Sequence, residues 1–224
     1  MRELPILFNG TMVQAVLASD KTLTRRTKGL EYFSRSDNDP DGWWCARVED
    51  GHAYMVYKQS PHERAVRCPY GQPGDRLWVR EAVRGEEQAS GLDGVRYLAD
   101  DAFVPIEDSS ASAEAWLALH QYRRNRGATV PPIHMPRWAC RLVLEITRVR
   151  VERLQAINHV DAIAEGVGLN PSAAEVTMTT PAGDSLPRVM FRAMWEQING
   201  SEAWAANPWV WVVEFRRVAG GGQS

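Results

Sequence analysis

Six consecutive residues, Lys21-Thr22-Leu23-Thr24-Arg25-Arg26, place an amine, a hydroxyl three positions on and two guanidinium groups in one short run. A threonine hydroxyl attacks a carbonyl only when a neighbour removes its proton. A lysine can do so only when burial or nearby positive charge lowers its pKa. Arg25 and Arg26 supply such charge, and Arg26 is also suited to meet a developing oxyanion. A carboxylate added to this set would orient the amine or carry a proton to a leaving group. Taken alone, a short basic run is ordinary solvated surface, so its meaning depends on the elements that hold it.

Those elements read as short strands with small helices between them. Leu4 to Phe8 is a short apolar run, Asn9-Gly10 has turn chemistry, and Thr11 is placed to cap a helix whose face carries Met12, Val13, Val16 and Leu17. The helix ends at Ser19-Asp20 and delivers Lys21 to Arg26 as an extended segment. Residues 34–42 read as an exposed loop, followed by strands at 44–48 and 53–57 around an acidic turn. Leu77 to Ala82 reads as a strand after the Pro/Gly turn that contains Asp75. Residues 84–134 read as a loop-rich insertion with a short hairpin near 95–98 and a helix over 113–122. A long strand is expected from Arg137 through Val151, a helix over 154–167, a loop over 170–187 and a second helix over 189–198. In that second helix Val189, Met190, Met194 and Ile198 form the expected core face. A strand over 208–218 closes the chain before a flexible tail at 219–224. The expected class is α+β, in one domain spanning 1–218.

Composition narrows the function classes. The chain has 224 residues, a net charge of −2 and 44% hydrophobic residues, which describes a soluble globular protein and argues against a bulk polyanion binder. Apolar runs such as Trp209 to Val213 are far too short to span a bilayer. The start, Met1-Arg2-Glu3-Leu4-Pro5, has no signal-peptide pattern, so the expected location is the cytoplasm, with no membrane partner. Cys45, His52, His62 and Cys68 lack the short Cys-x-x-Cys spacing of a zinc knuckle, and neither a metal nor a cofactor is expected. The three cysteines read as reduced thiols. Most of the nine tryptophans read as core, with one or two open to stacking on a base.

Five ordered pieces of the chain resemble the ASCH family, whose small barrel is similar to the PUA RNA-binding domain. They are Lys21/Thr24/Arg26 after a short helix, Gly74-Asp75-Arg76-Leu77-Trp78-Val79-Arg80-Glu81, the strand from Arg137, Asp161-Ala162-Ile163-Ala164-Glu165-Gly166, and Asn207-Pro208-Trp209-Val210-Trp211. The chain looks especially like the longer ASCH proteins of phage and prophage genomes. The resemblance implies a PUA-like mixed β-barrel with short flanking helices. It also implies kinship with a branch of compact amidohydrolases that deacetylate the exocyclic amine of acetylated cytidine. Carried over by motif, the catalytic set becomes Lys21, Thr24 and Glu165. Arg26 falls where that branch has arginine, while Ser19-Asp20 replaces its glycine-containing turn. Arg25, Tyr70, Trp78 and Glu81 are the further residues expected at the substrate, a modified nucleoside or RNA. The alternative is an RNA-binding module of PUA type without catalysis, using Lys21, Arg25, Arg26 and the arginines at 123, 124 and 126 on phosphates, or a ribonuclease variant.

Overall fold

Alternating burial along short, β-branched segments is the signature that organises this chain. In the computed structural model, which describes residues 1–168 and 184–218, eleven strands and five α-helices follow one another. In chain order they are β1 (Glu3–Leu7), α1 (Gly10–Leu17), β2 (Leu23–Arg26), α2 (Glu31–Ser34), β3 (Trp43–Glu49), β4 (His52–Tyr57), β5 (Glu63–Arg67) and β6 (Arg76–Arg80). They continue with β7 (Val83–Glu87), β8 (Asp93–Tyr97), β9 (Ala102–Pro105), α3 (Ser110–His120), β10 (Val143–Arg153), α4 (His159–Ala164), α5 (Leu186–Asn199) and β11 (Trp209–Arg217). The α+β class expected from the sequence is what these elements form. Among the described residues no helix is long and apolar enough to cross a membrane. The expected loop at 170–187, in its part up to 183, and the expected tail at 219–224 lie outside the described residues.

The strands form three sheets. One has five strands in the order β1-β6-β10-β11-β2, with β1 and β2 as its edges, and the others are β3-β4-β5 and β7-β8-β9. The described residues divide into two compact units. The first comprises 1–4, 18–76 and 145–216, and the second 5–17, 77–144 and the residues from 217 on.

The first unit is built on the antiparallel pairing of β2 with β11, in which Thr24 faces Val213 and Arg26 faces Trp211 across the ladder. Its core joins Leu23 of β2 and Val210 and Val212 of β11 to Leu154, Ala162, Phe191, Trp195 and Trp204. On α5 the buried stripe is Pro187, Phe191 and Trp195, four residues apart, whereas Val189 and Ile198 are exposed. Met190 and Met194 of the expected core face do pack against this core, partly buried, while the fully buried positions are displaced to Pro187, Phe191 and Trp195. Two aromatic rings at positions i and i+4 remove more apolar area from water than the aliphatic side chains beside them, and they set which face turns inward.

The second unit packs α3 on the β7-β8-β9 sheet, around Val83, Val95, Tyr97, Leu119 and Val143. The stretch read as loop-rich thus holds three strands where a short hairpin was expected; Val83-Arg84-Gly85-Glu86-Glu87 carries few apolar residues and offers little strand signal. α1 begins after Asn9, whose Oδ1 accepts from the Met12 N–H at 2.9 Å and from the Thr11 hydroxyl at 2.8 Å, so Asn9 and not Thr11 is the cap. β10 begins at Val143 and not at Arg137, because Pro131, Pro132 and Pro136 hold the preceding chain in single 3-10 turns at Pro132–His134 and Arg137–Ala139.

At Gly85 a Cβ would stand 2.8 Å from the backbone N and Cα of His120, atoms fixed by the end of α3. Gly85→Ala is expected to lower stability by about 1–3 kcal/mol through overpacking. Chemical denaturation measures this, and a variant as stable as the native chain would show that α3 can lift from the sheet without cost.

Candidate functional site

The site begins with a short helix that is firmly started and firmly stopped. Asn158 caps α4, its Oδ1 accepting from the Asp161 N–H at 2.9 Å. Glu165 ends it, and Gly166 follows with φ +78°, a left-handed conformation that glycine adopts without penalty. The helix expected over 154–167 is thus a 3-10 turn at Leu154–Ala156 followed by six α-helical residues. Its end leaves the carbonyl of Glu165 without an intrahelical partner. Lys21 fills that vacancy, donating from Nζ to the Glu165 carbonyl at 2.9 Å and to Glu165 Oε2 at 2.7 Å. A cation is well placed at this end of a helix.

The backbone holds the two residues together as well. Lys21 and Glu165 form an isolated antiparallel bridge. The Thr22 N–H donates to the Ala164 carbonyl at 2.9 Å, and the Phe215 N–H donates to the Thr22 carbonyl at 2.8 Å. Lys21 is 2% exposed, Glu165 3% and Thr24 1%. Burial is the largest influence on the Lys21 amine and holds its pKa below the ordinary lysine value; Glu165 opposes that shift, and Arg26 and Arg25 reinforce it.

β2 then splits its side chains between two faces. Leu23 and Arg25 share one face, and Leu23 joins the apolar core. Arg25 lies over the Phe191 ring at 5.8 Å, with its side chain fully enclosed. Read from the sequence as a substrate contact, Arg25 has its guanidinium turned to carboxylates. Nη2 donates to Asp161 at 2.6 Å and to Glu152 at 3.3 Å, while Nη1 stands 3.5 Å from Glu165 Oε1. Arg150 bonds Asp161, Glu152 and Glu214 in turn. Glu152 and Arg150 escaped the sequence reading, and Asp161 entered it only as part of a motif with no role, although the alternating charges of Arg148-Val149-Arg150-Val151-Glu152-Arg153 carry a signal for such a ladder.

Thr24 and Arg26 share the other face of β2. Arg26 is half-buried and lies within electrostatic reach of Lys21, Glu165 and Tyr70; burial lowers its pKa, against Tyr70 and Glu165. Tyr70 is half-buried too, its hydroxyl pushed up to about 12 by burial, with Arg26 acting the other way.

Trp78 and Glu81 belong to the second unit. Glu81 is 1% exposed and accepts two hydrogen bonds from Arg141, at 2.8 Å each, while Arg141 also bonds Asp100. Burial raises the Glu81 pKa against the pull of Arg141. Trp78 lies beneath the guanidinium groups of Arg80 and Arg137. Asp75, read as a turn residue, accepts from the Arg2 N–H at 2.7 Å and from the Arg2 guanidinium at 2.8 Å. Among the described residues no group of three His, Cys, Asp or Glu side chains stands close enough to hold a metal ion. Comparison with protein-family models, with curated proteins and with solved structures finds no match.

Removing one member of a buried ion pair leaves the other charged and enclosed, which costs far more than removing both. Lys21→Met is expected to destabilise by about 3–5 kcal/mol. Lys21→Met combined with Glu165→Leu should recover most of that loss. Urea denaturation of the three proteins measures it, and equal losses in the single and double variants would contradict a tightly coupled pair.

Proposed function

We propose that this protein is an amidohydrolase that removes an acyl group from the exocyclic amine of a modified nucleobase, with acetylated cytidine as the model substrate. The observation that carries the reading is the enclosed Lys21 amine, bonded to Glu165 at 2.7 Å and shifted toward its neutral form, three residues before an enclosed threonine. A buried, charge-coupled lysine is the kind of group that catalytic sites use and that folding alone disfavours. The PUA-like reading of the fold belongs to the same proposal, supported by the β2–β11 ladder and the short helices beside it.

In this reading Lys21, as the neutral amine, takes the proton of the Thr24 hydroxyl as Oγ1 attacks the acyl carbonyl. The negative charge that forms on the carbonyl oxygen is stabilised by Arg26, whose guanidinium stays charged. As the C–N bond breaks, the exocyclic amine leaves with a proton passed through Glu165 or Lys21. The acyl group rests on Thr24 until water, deprotonated by the same amine, releases it as the carboxylic acid and restores the hydroxyl. Arg25, itself held by Asp161, acts through Glu165 as a positioning residue, its Nη1 facing the carboxylate oxygen that Lys21 does not bond. Tyr70, beside Arg26, is placed to meet the base. The chemistry draws on no metal and no organic cofactor.

Thr24→Val keeps the size and branching of the side chain and removes the hydroxyl. Turnover of acetylated cytidine, followed by chromatography, should fall by orders of magnitude, while ligand affinity changes by only about 0.5–1.5 kcal/mol. Unchanged acyl release from a normally melting variant would remove Thr24 as nucleophile. No release by the native protein would remove the reading itself.

The pH profile tests the base separately. Because a neutral Lys21 is the active form, the rate should rise with pH through an inflection below 10.5, the ordinary lysine value. Arg26→Gln deletes a positive charge that disfavours the protonated amine, so the inflection should move to higher pH in addition to any fall in rate. An inflection at the same pH in both proteins would take Lys21 out of the role.

A further inference from the structure

Between Glu114 and Glu145 the chain contains no acidic residue, yet it carries arginines at 123, 124, 126, 137 and 141. In a protein of net charge −2 that is a local reversal of sign. Arg141 is committed to Glu81 and Asp100. Arg80, Arg123, Arg124 and Arg126 form no ion pair among the described residues, and the last three are exposed.

Two of these cations, Arg80 and Arg123, lie over aromatic rings within the second unit. The Arg80 guanidinium lies 5.2 Å from the centre of the Trp78 ring, and Arg80 also donates to the Ile133 carbonyl. The next residue, His134, is exposed and sets its ring 5.8 Å from that of Tyr122. Arg123 lies 5.3 Å over the other partner in that contact, Tyr122. Trp78 and Tyr122 are both half-buried against the same apolar cluster, which fixes them as rigid platforms.

The turn that presents the arginines is itself constrained. Arg123 and Arg124 take φ +54° and +61°, a conformation that non-glycine residues rarely adopt, and here two adopt it in succession. Hydrogen bonds from Arg124 N–H to the Gln121 carbonyl at 2.8 Å and from Gly127 N–H to the His120 carbonyl at 2.8 Å hold it there. Backbone strain maintained in an exposed, unpaired cationic turn points to a use for that shape.

We infer that Trp78, Arg80, Tyr122, Arg123, Arg124 and Arg126 form a docking surface for single-stranded nucleic acid. The three exposed arginines meet successive phosphates, and the aromatic platforms take unstacked bases. A duplex keeps its bases stacked and offers nothing to those rings. Arg123, Arg124 and Arg126 belong to the phosphate-binding set read in the sequence, and the surface adds Trp78, Arg80 and Tyr122 to them, whereas Lys21 and Arg25 of that set are enclosed and paired with carboxylates. The surface goes beyond the deacylation reading and stands without it.

The test is titration of end-labelled single strands of about twelve nucleotides, as RNA, as DNA and as an abasic DNA strand of the same length. Fluorescence anisotropy is read between roughly 50 and 200 mM salt, where each phosphate contact to a single strand contributes about 0.7 to the logarithmic slope. Arg123→Gln/Arg124→Gln/Arg126→Gln should lower that slope by about 2 and weaken low-salt binding by at least about tenfold. Arg126→Glu, outside the strained pair, provides a second variant expected to bind more weakly while melting like the native protein. Binding of RNA or DNA that is tighter than binding of the abasic strand supports the surface, whichever sugar is preferred. No binding by the native protein at low salt, an unchanged slope in the triple variant, or equal binding of the abasic strand would overturn it. These readouts are independent of acyl release, so failure here and failure of the deacylation reading are separately visible.

Discussion

An ammonium group withdrawn from water is tolerated only where the surrounding protein supplies both opposite charge and hydrogen-bond acceptors. Lys21 meets that condition at Glu165, which offers its carboxylate at 2.7 Å and its main-chain carbonyl at 2.9 Å. The second acceptor exists only because α4 stops there, with Gly166 turning the chain away in a left-handed conformation. A helix end and an ion pair thus satisfy each other. The Thr22 amide bonded to Ala164 and the Phe215 amide bonded to Thr22 tie that arrangement into β11.

From this pair outward, the charged groups of the first unit divide their labour by face. Arg25, on the core side of β2, closes a ladder in which Asp161 and Glu152 are shared with Arg150. Multiple shared carboxylates make such a network stiffer than isolated pairs, and its geometry bears on Glu165 through the 3.5 Å approach of Arg25. Arg26, one residue on, faces the other way and keeps company with Tyr70. Two adjacent arginines therefore stand in different surroundings: one enclosed and paired with carboxylates, the other half-buried near Tyr70.

Several features of this arrangement were legible in the sequence. Lys21 and Glu165 were singled out by motif, and the basic run was expected to be extended, as β2 is. Others were not legible, for identifiable reasons. The inward place of Phe191 and Trp195 on α5, beside the expected Met190 and Met194, depended on how much area the two rings bury, which the spacing of apolar residues does not weigh. The β7-β8-β9 sheet was obscured by the polar residues of β7 and β8, whose partners across the ladder supply the missing apolar contacts. The late start of β10 followed from three prolines whose combined effect exceeds that of any one.

By itself, the amino-acid order determined the α+β class, the short strands and helices, and the local chemistry of turns, because those depend on residues within one or two turns of each other. It also determined that a lysine, a threonine and two arginines would travel together on one extended segment. Only the tertiary structure decided which carboxylate Lys21 meets, since the two residues are 144 positions apart in the chain. Tertiary packing likewise decided that Arg25 would be enclosed and Arg123, Arg124 and Arg126 left in the open. All of these arginines carry the same charge in the sequence; what separates them is whether folding brings a carboxylate within reach before water is excluded.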